Sequence, residues 1–385
     1  MSGDGHQTRR WAARLMVIVL RNVDDVLAWA GRLVDPALRA AVTRLPEPSR
    51  QIADLQLGWA DGPRSCAAHE RSALTLVCAG AVGGDPHDAV PAAVAVELLH
   101  HWAEIRRDLR AGDLTRKHRP TAWSVFGAQP ATLGAEALLA LAFDVAATGD
   151  PTRPAVPPVG RTTPEPVRPV SGAVRQATCE RTGPITGGTT VRVLGDTVQQ
   201  LLHGDHTTLV LGDRTTGDRG DLLRECLGAA ERHAGALLGS ACALGALAGG
   251  GDRAQVEQLR LFGVRLGLAV QFADDLLGIW GDPAQTGRPR YADLRRRRRS
   301  LPVTAALVAG ADELAEVLGR EDRLGDTDLE RAAKSIEQSG ARAWCRQQAD
   351  DLLAQALLAL DLAIPSPAAV AELVALARRA TRHSA

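Results

Sequence analysis

Apolar residues recur at three- and four-residue intervals along most of this 385-residue chain, the spacing that lines them up on one face of an α-helix. The pattern predicts helices over residues 11–44, 67–81, 88–110, 130–147, 189–203, 219–248, 254–279, 305–318, 328–360 and 368–382. Turn chemistry fills the breaks: Pro46 and Pro48 follow the first helix, and Gly83-Gly84-Asp85-Pro86 follows the second. Runs of β-branched residues are scarce, so the reading is all-α. Two stretches lack the period. Residues 1–10 are polar and are expected to be disordered. From about 150 to 188 the chain turns Pro-rich, with seven prolines between Pro151 and Pro169. That composition predicts a flexible insertion between two helices of a single domain spanning 11–385.

Composition changes this picture only by exclusion. Lys+Arg and Asp+Glu both number 45, so no global charge argues for nucleic acid or an anionic surface. The six cysteines lie far apart without a Cys-x-x-Cys pair, which indicates neither a zinc knuckle nor a disulfide framework and suits a reducing cytoplasm. The apolar run from Leu15 to Leu20 is too short to span a bilayer and is flanked by Arg14 and Arg21.

The densest chemistry lies between Val270 and Val303. Asp274, Gly278 and Asp282 are expected to share one face of an otherwise apolar helix, with Asp275 a step round, and Arg288 and the run Arg295 to Arg299 follow. Acid on a buried face needs a cation or hydrogen-bond donors. Oxygen-only ligands among cationic neighbours suit Mg²⁺ shared with a phosphate better than a transition metal.

The run from Gln271 to Val303 resembles the second aspartate-rich motif of the trans-isoprenyl diphosphate synthases, the polyprenyl and geranylgeranyl diphosphate synthase family. Glu97-Leu98-Leu99-His100, leading to Arg116-Lys117-His118-Arg119-Pro120-Thr121, is similar to its first-motif region, and Gly235-Ala236-Leu237-Leu238 to the helix that closes its pocket. The resemblance implies the isoprenoid synthase fold, about a dozen helices around a central cavity, and the binding of an allylic prenyl diphosphate with Mg²⁺. It assigns metal to Asp274 and Asp275, diphosphate contacts to Arg71, Arg116, Lys117, Arg288 and Arg298, and the floor of the hydrocarbon tunnel to Trp102. That bulk implies a ligand of farnesyl or geranylgeranyl length.

The chain departs from the family where metal chemistry is concentrated. The first motif, His-Asp-Asp-x-x-Asp-Gly-Asp in a family member, reads Arg106-Arg107-Asp108-Leu109-Arg110-Ala111-Gly112-Asp113. Arg107 and Ala111 replace two acids and Asp108 remains, so fewer Mg²⁺ ions are expected, or none. The Gly-Lys-x-x-Arg-Pro element aligns with residues 67–72 and keeps only Arg71. The Lys-Thr pair aligns with His233-Ala234, and the Gly-Gln-x-x-Asp element with residues 204–208, beginning Gly204-Asp205. The arginines at 106, 107 and 110 are expected either to clamp a diphosphate directly or to pair with Glu104 and Asp108 along their own helix. Three functions follow: a prenyl diphosphate synthase-like protein with impaired transfer, a non-catalytic subunit of an intact synthase, or a class I terpene cyclase. A homodimer or a heterodimer with an intact relative is expected.

Overall fold

The computed structural model describes residues 21–59, 69–116, 118–153, 187–213, 219–363 and 366–383. The polar N-terminus, the predicted helical residues 11–20, most of the Pro-rich insertion and Lys117 lie outside the described residues. The elements run α1 (Val23–Val42), α2 (Ser49–Leu57), α3 (Glu70–Ala81), a 3₁₀ turn (Pro86–Ala89) and α4 (Val90–Ala111). A two-stranded hairpin follows, β1 (Thr115–Arg116) and β2 (Arg119–Pro120), and then α5 (Ala122–Phe126), α6 (Ala128–Thr148), α7 (Gly187–Asp213) and α8 (Arg219–Ala230). A π-helical turn (Glu231–Gly235) leads into α9 (Ala236–Ala248) and α10 (Arg253–Trp280). The chain closes with α11 (Pro283–Thr286), α12 (Ala292–Arg295), α13 (Leu301–Val308), α14 (Asp312–Gly319), α15 (Asp326–Gln338), α16 (Ala341–Leu362) and α17 (Pro367–His383).

Three predicted helices are each two. The stretch 219–248 is interrupted by the π turn, a wider helical turn that turns its side chains away from the α-helical register. The stretches 305–318 and 328–360 break at Gly310 and Gly340, whose φ angles of 85° and 80° are left-handed. Glycine adopts that conformation at little cost, and it ends a helix. Periodicity alone passes over such breaks because the apolar spacing resumes almost in phase beyond them.

Helix α10 lies against α9 on one side and α16 on the other, and α9 reaches α3, α4 and α7. The contact of α10 with α9 is close because glycine lines it. A Cβ at Gly263 would stand 2.4 Å from the Leu238 carbonyl oxygen, and one at Gly267 would stand 2.3 Å from that of Ala234 in the π turn that leads into α9. The main core joins Leu27, Leu38, Leu76, Leu98 and Phe262. A smaller apolar cluster, including Ile279, Leu294, Val303, Leu314, Leu329 and Ile336, lies beneath the arginine run and anchors it. Helix α6 has the length and apolarity of a membrane span, but 44% of its most apolar window is buried inside the fold, where it packs on α4 and α2. The all-α architecture read from the periodicity is the one observed.

Candidate functional site

Two walls face each other. The first is the C-terminal end of α4 with the hairpin behind it. Asp108 is buried at 1% exposure and accepts a hydrogen bond from Arg116 Nε at 2.8 Å as well as one from Arg116 Nη2. Burial raises the Asp108 carboxyl, with Arg116 opposing. Asp113, also buried, pairs with Arg296 from the opposite wall, and its carbonyl accepts from Thr121 Oγ1 and Trp123 Nε1, both at 2.7 Å. The acids left on this wall are therefore held by arginines of the protein itself.

The second wall is the end of α10 with the loop after it. Asp274 is exposed and has no partner among the described residues. Its neighbour Asp275 is buried and accepts from Gln271 Nε2 at 2.7 Å and from the Leu301 amide at 2.9 Å. Arg298 Nη2 lies 3.3 Å from Asp275 and donates through Nη1 to Asp293 at 3.1 Å. Burial pushes the Asp275 carboxyl up against the pull of Arg298, while Asp293 and Asp275 together hold the Arg298 guanidinium charged. Asp282 does not share the Asp274 face as the sequence predicts. Gly281 is extended (φ −62°, ψ 146°) and ends the helix, and Asp282 instead caps α11 by accepting from the Ala284 amide at 2.9 Å.

Gly278, where a third acid is common in the second motif, has a specific neighbour. A Cβ there would lie 2.4 Å from Asp293 Oδ2, so a carboxylate from the following loop fills the place a side chain on α10 would take. The arginine run divides its work. Arg295 pairs with Asp326, and Arg297, at a left-handed φ of 51°, donates to the Asp322 carbonyl at 2.6 Å. That bend sends Arg296 to Asp113 and Arg298 to Asp275 and Asp293, so these two members face the site.

Three cations converge between the walls. The Arg107 side chain keeps 53% of its surface open to water. Partial desolvation, Arg116 and Arg288 push its guanidinium down, against the opposing pull of Glu104 and Asp108. Arg288 is lowered by burial and by Arg116 and makes no ion pair among the described residues. Of the two expectations for the α4 arginines, Arg107 follows the intrahelical one, 3.4 Å from Glu104 Oε1. Arg106 and Arg110 reach neither Glu104 nor Asp108 and turn to α7.

That partner on α7 is Asp205. Arg110 Nη2 donates to its Oδ1 at 2.6 Å, Arg106 lies 3.7 Å from its Oδ2, and His233 Nε2 lies 2.7 Å from its Oδ1. His233 projects from the π turn and packs over Gly204, where a Cβ would meet its ring at 2.8 Å. Two positions that the alignment counts as losses are thus joined in one cross-helix clasp. Burial alone would raise the Asp205 carboxyl, but His233 and Arg110 outweigh it and hold the group below its ordinary value. A depressed carboxylate stabilises the fold above the unfolded value of about 3.9, and that contribution disappears as pH falls through the lower folded value. Asp205→Asn is accordingly expected to cost about 1–2 kcal/mol at pH 7. Denaturant midpoints measured from pH 7 to pH 2 should show the difference between the two proteins shrinking as pH falls below about 3.9.

Of the remaining sequence-predicted residues, Arg71 lies 3.8 Å from Glu97 on the deeper part of α4, away from Asp274. Trp102 is 3% exposed and carries the Arg106 guanidinium over its ring at 5.2 Å. Ala111 ends α4. Sequence reasoning assigned no role to Asp293 or Asp205, although both lie in stretches that resemble family motifs, because their contacts with Gly278 and with Arg110 and His233 depend on how separate elements pack. The Gly278 gap was the one available signal for Asp293.

Residues 68–336 match the polyprenyl synthetase family model. A (2E,6E)-farnesyl diphosphate synthase of Mycobacterium tuberculosis is 34% identical over 340 residues, which is 86% of this chain and 84% of that enzyme. A geranylgeranyl diphosphate synthase of the same species is 35% identical over 344 residues, covering 87% of this chain and 88% of that one. The crystal structure of a polyprenyl synthetase from Streptomyces coelicolor A3(2) superposes with a TM-score of 0.78 at 33% identity, covering 93% of this chain and 99% of that one. With the helical fold, the two facing walls and these likenesses together, the chain belongs to the polyprenyl synthetase family.

Proposed function

We propose that the protein binds an allylic prenyl diphosphate of farnesyl or geranylgeranyl length and that its prenyl transfer is impaired relative to an intact synthase. The observation that carries the reading is the convergence of Arg107, Arg116 and Arg288 between the walls. Crowded guanidinium groups repel one another, and a diphosphate with its several negative oxygens relieves that repulsion while accepting forked hydrogen bonds. Of the other described diphosphate candidates, Arg298 stays behind them as a brace for Asp275 and Arg71 lies beside Glu97.

Members of this family typically depend on Mg²⁺. The first wall here does not suit it, since Asp108 and Asp113 are engaged by arginines and Arg107 repels a cation. On the second wall Asp274 is the open carboxylate, and at most a single ion fits the reading. The acceptor side is equally changed, with Arg71 beside Glu97 and His233 tied to Asp205, which supports impaired elongation. A cytoplasmic location accords with the four described cysteines, Cys78, Cys226, Cys242 and Cys345, being free thiols.

Calorimetric titration with a non-hydrolysable farnesyl diphosphate analogue, in Mg²⁺ and in chelator, tests this. Binding is expected to survive chelation within about threefold, and Arg288→Gln to weaken it at least about tenfold, the worth of one charge-assisted contact. Binding that vanishes in chelator would refute the arginine clamp. Absence of binding in both conditions would leave the second reading, a non-catalytic subunit. That reading draws on the exposed apolar residues Leu133 on α6 and Leu202, Leu209 and Val210 on α7, at 63%, 39%, 57% and 38% exposure, a surface suited to a second copy or an intact synthase.

A further inference from the structure

Deeper along α4 lies a set of donors that the diphosphate reading does not use. His100 and Glu104 are four residues apart and His101 and Glu104 three, so all three project from one side of the helix. One donor atom from each lies within 4.8 Å of the others. His100 Nε2 is 3.4 Å and His101 Nδ1 3.5 Å from the same oxygen, Glu104 Oε2. The rings do not stack, their centroids standing 5.2 Å apart with planes tilted by 57°.

His101 supplies the second observation. It is 6% exposed, and neither ring nitrogen has a hydrogen-bond partner among the described residues. A buried imidazole left so costs free energy unless something takes up its lone pair and its N–H. An ion at Nδ1 would use the first, and Glu97 Oε2, 3.9 Å from Nε2, stands where it could receive the second after a small ring movement. A carboxylate behind a ligating histidine is the usual support of such a site.

We propose that His100, His101 and Glu104 form a binding site for one divalent transition-metal ion of the zinc class. Two imidazole nitrogens and one carboxylate suit Zn²⁺ or Fe²⁺, whereas Mg²⁺ prefers oxygen alone. Gln56 Nε2, 3.2 Å from Glu104 Oε2, and Arg107, 3.4 Å from Oε1, compete for the carboxylate, so affinity is moderate. The positions 100 and 104 fall seven residues before 107 and 111, where the family's first motif has acid. Seven residues are about two turns, or roughly 10.5 Å along the same helical face. The ion would thus sit deeper in the wall than the diphosphate, and its binding requires no prenyl ligand.

The test is Co²⁺ titration of the untagged full-length protein after dialysis against chelator, read by visible ligand-field absorption and by metal analysis. About one Co²⁺ per chain is expected, displaced by Zn²⁺. His101→Gln, and independently the partly exposed His100→Asn should the first misfold, are each expected to weaken binding at least about tenfold, the scale of loss when a metal site is disturbed. His87→Gln and Asp274→Asn should leave it unchanged. Absence of the absorption in folded protein, equal binding by His100→Asn, or loss in Asp274→Asn would overturn the proposal.

Discussion

Asp275→Ala is expected to lower stability by about 3–5 kcal/mol, the cost of breaking a buried ion pair from one side. The carboxylate is 2% exposed and receives the Leu301 amide, the Gln271 amide and the Arg298 guanidinium. Removing it leaves a buried backbone N–H at the start of α13 without its acceptor and leaves Arg298 with Asp293 alone. The neighbouring Asp274→Ala is expected to change stability by no more than about 0.5 kcal/mol, because that side chain is exposed and unpaired. Urea denaturation of the two variants would decide the matter. Equal effects would mean that the two aspartates do not divide into a brace and an open ligand.

Restoring acid at Gly278 is expected to fail for a reason that the sequence conceals. In Gly278→Asp the new Cβ would meet Asp293 Oδ2 at 2.4 Å, and Asp293 cannot swing away freely because Arg298 holds it. Overpacking of this kind costs about 1–3 kcal/mol by itself, and a second carboxylate beside the first adds like-charge repulsion in a place that water scarcely reaches. The total expected loss is about 3 kcal/mol or more. Adding Asp293→Gly should return much of it, since the clashing atoms go and one carboxylate remains near Arg298. A thermal melt of the single and double variants reads this directly. An unperturbed Gly278→Asp would show that the close approach of the Asp293 loop to α10 is not maintained in solution.

The pairings also explain which parts of the site were legible in the residues. Asp274 and Asp275 stand out in the chain because two acids interrupt an apolar helix, yet nothing in that spacing separates their roles. Arg106 and Arg110 invite pairing with Glu104 and Asp108, their helical neighbours. They choose Asp205 instead because α7 brings a carboxylate to the outer side of α4 while Arg116, folded back by the hairpin, has already claimed Asp108. The run of five arginines does not by itself show which members reach the site, and the left-handed turn at Arg297 distributes them to separate partners. His100 was visible as part of a family motif, but its convergence with His101 on Glu104 depends on ring orientation and on how α4 is enclosed.

What the sequence determined alone was the all-α class, most helix positions, the family and the loss of acid from the first motif. Helical periodicity and local motifs are properties of neighbouring residues, and they survive without knowledge of the fold. Tertiary structure alone decided that Asp293 fills the space over Gly278, that Asp205 joins Arg110 to His233, and that Asp275 is a brace. Each of these joins residues between 15 and 95 positions apart. At such separations a charge chooses its partner by which helix ends are packed together, and the close crossing of α9 and α10 is part of what sets that packing.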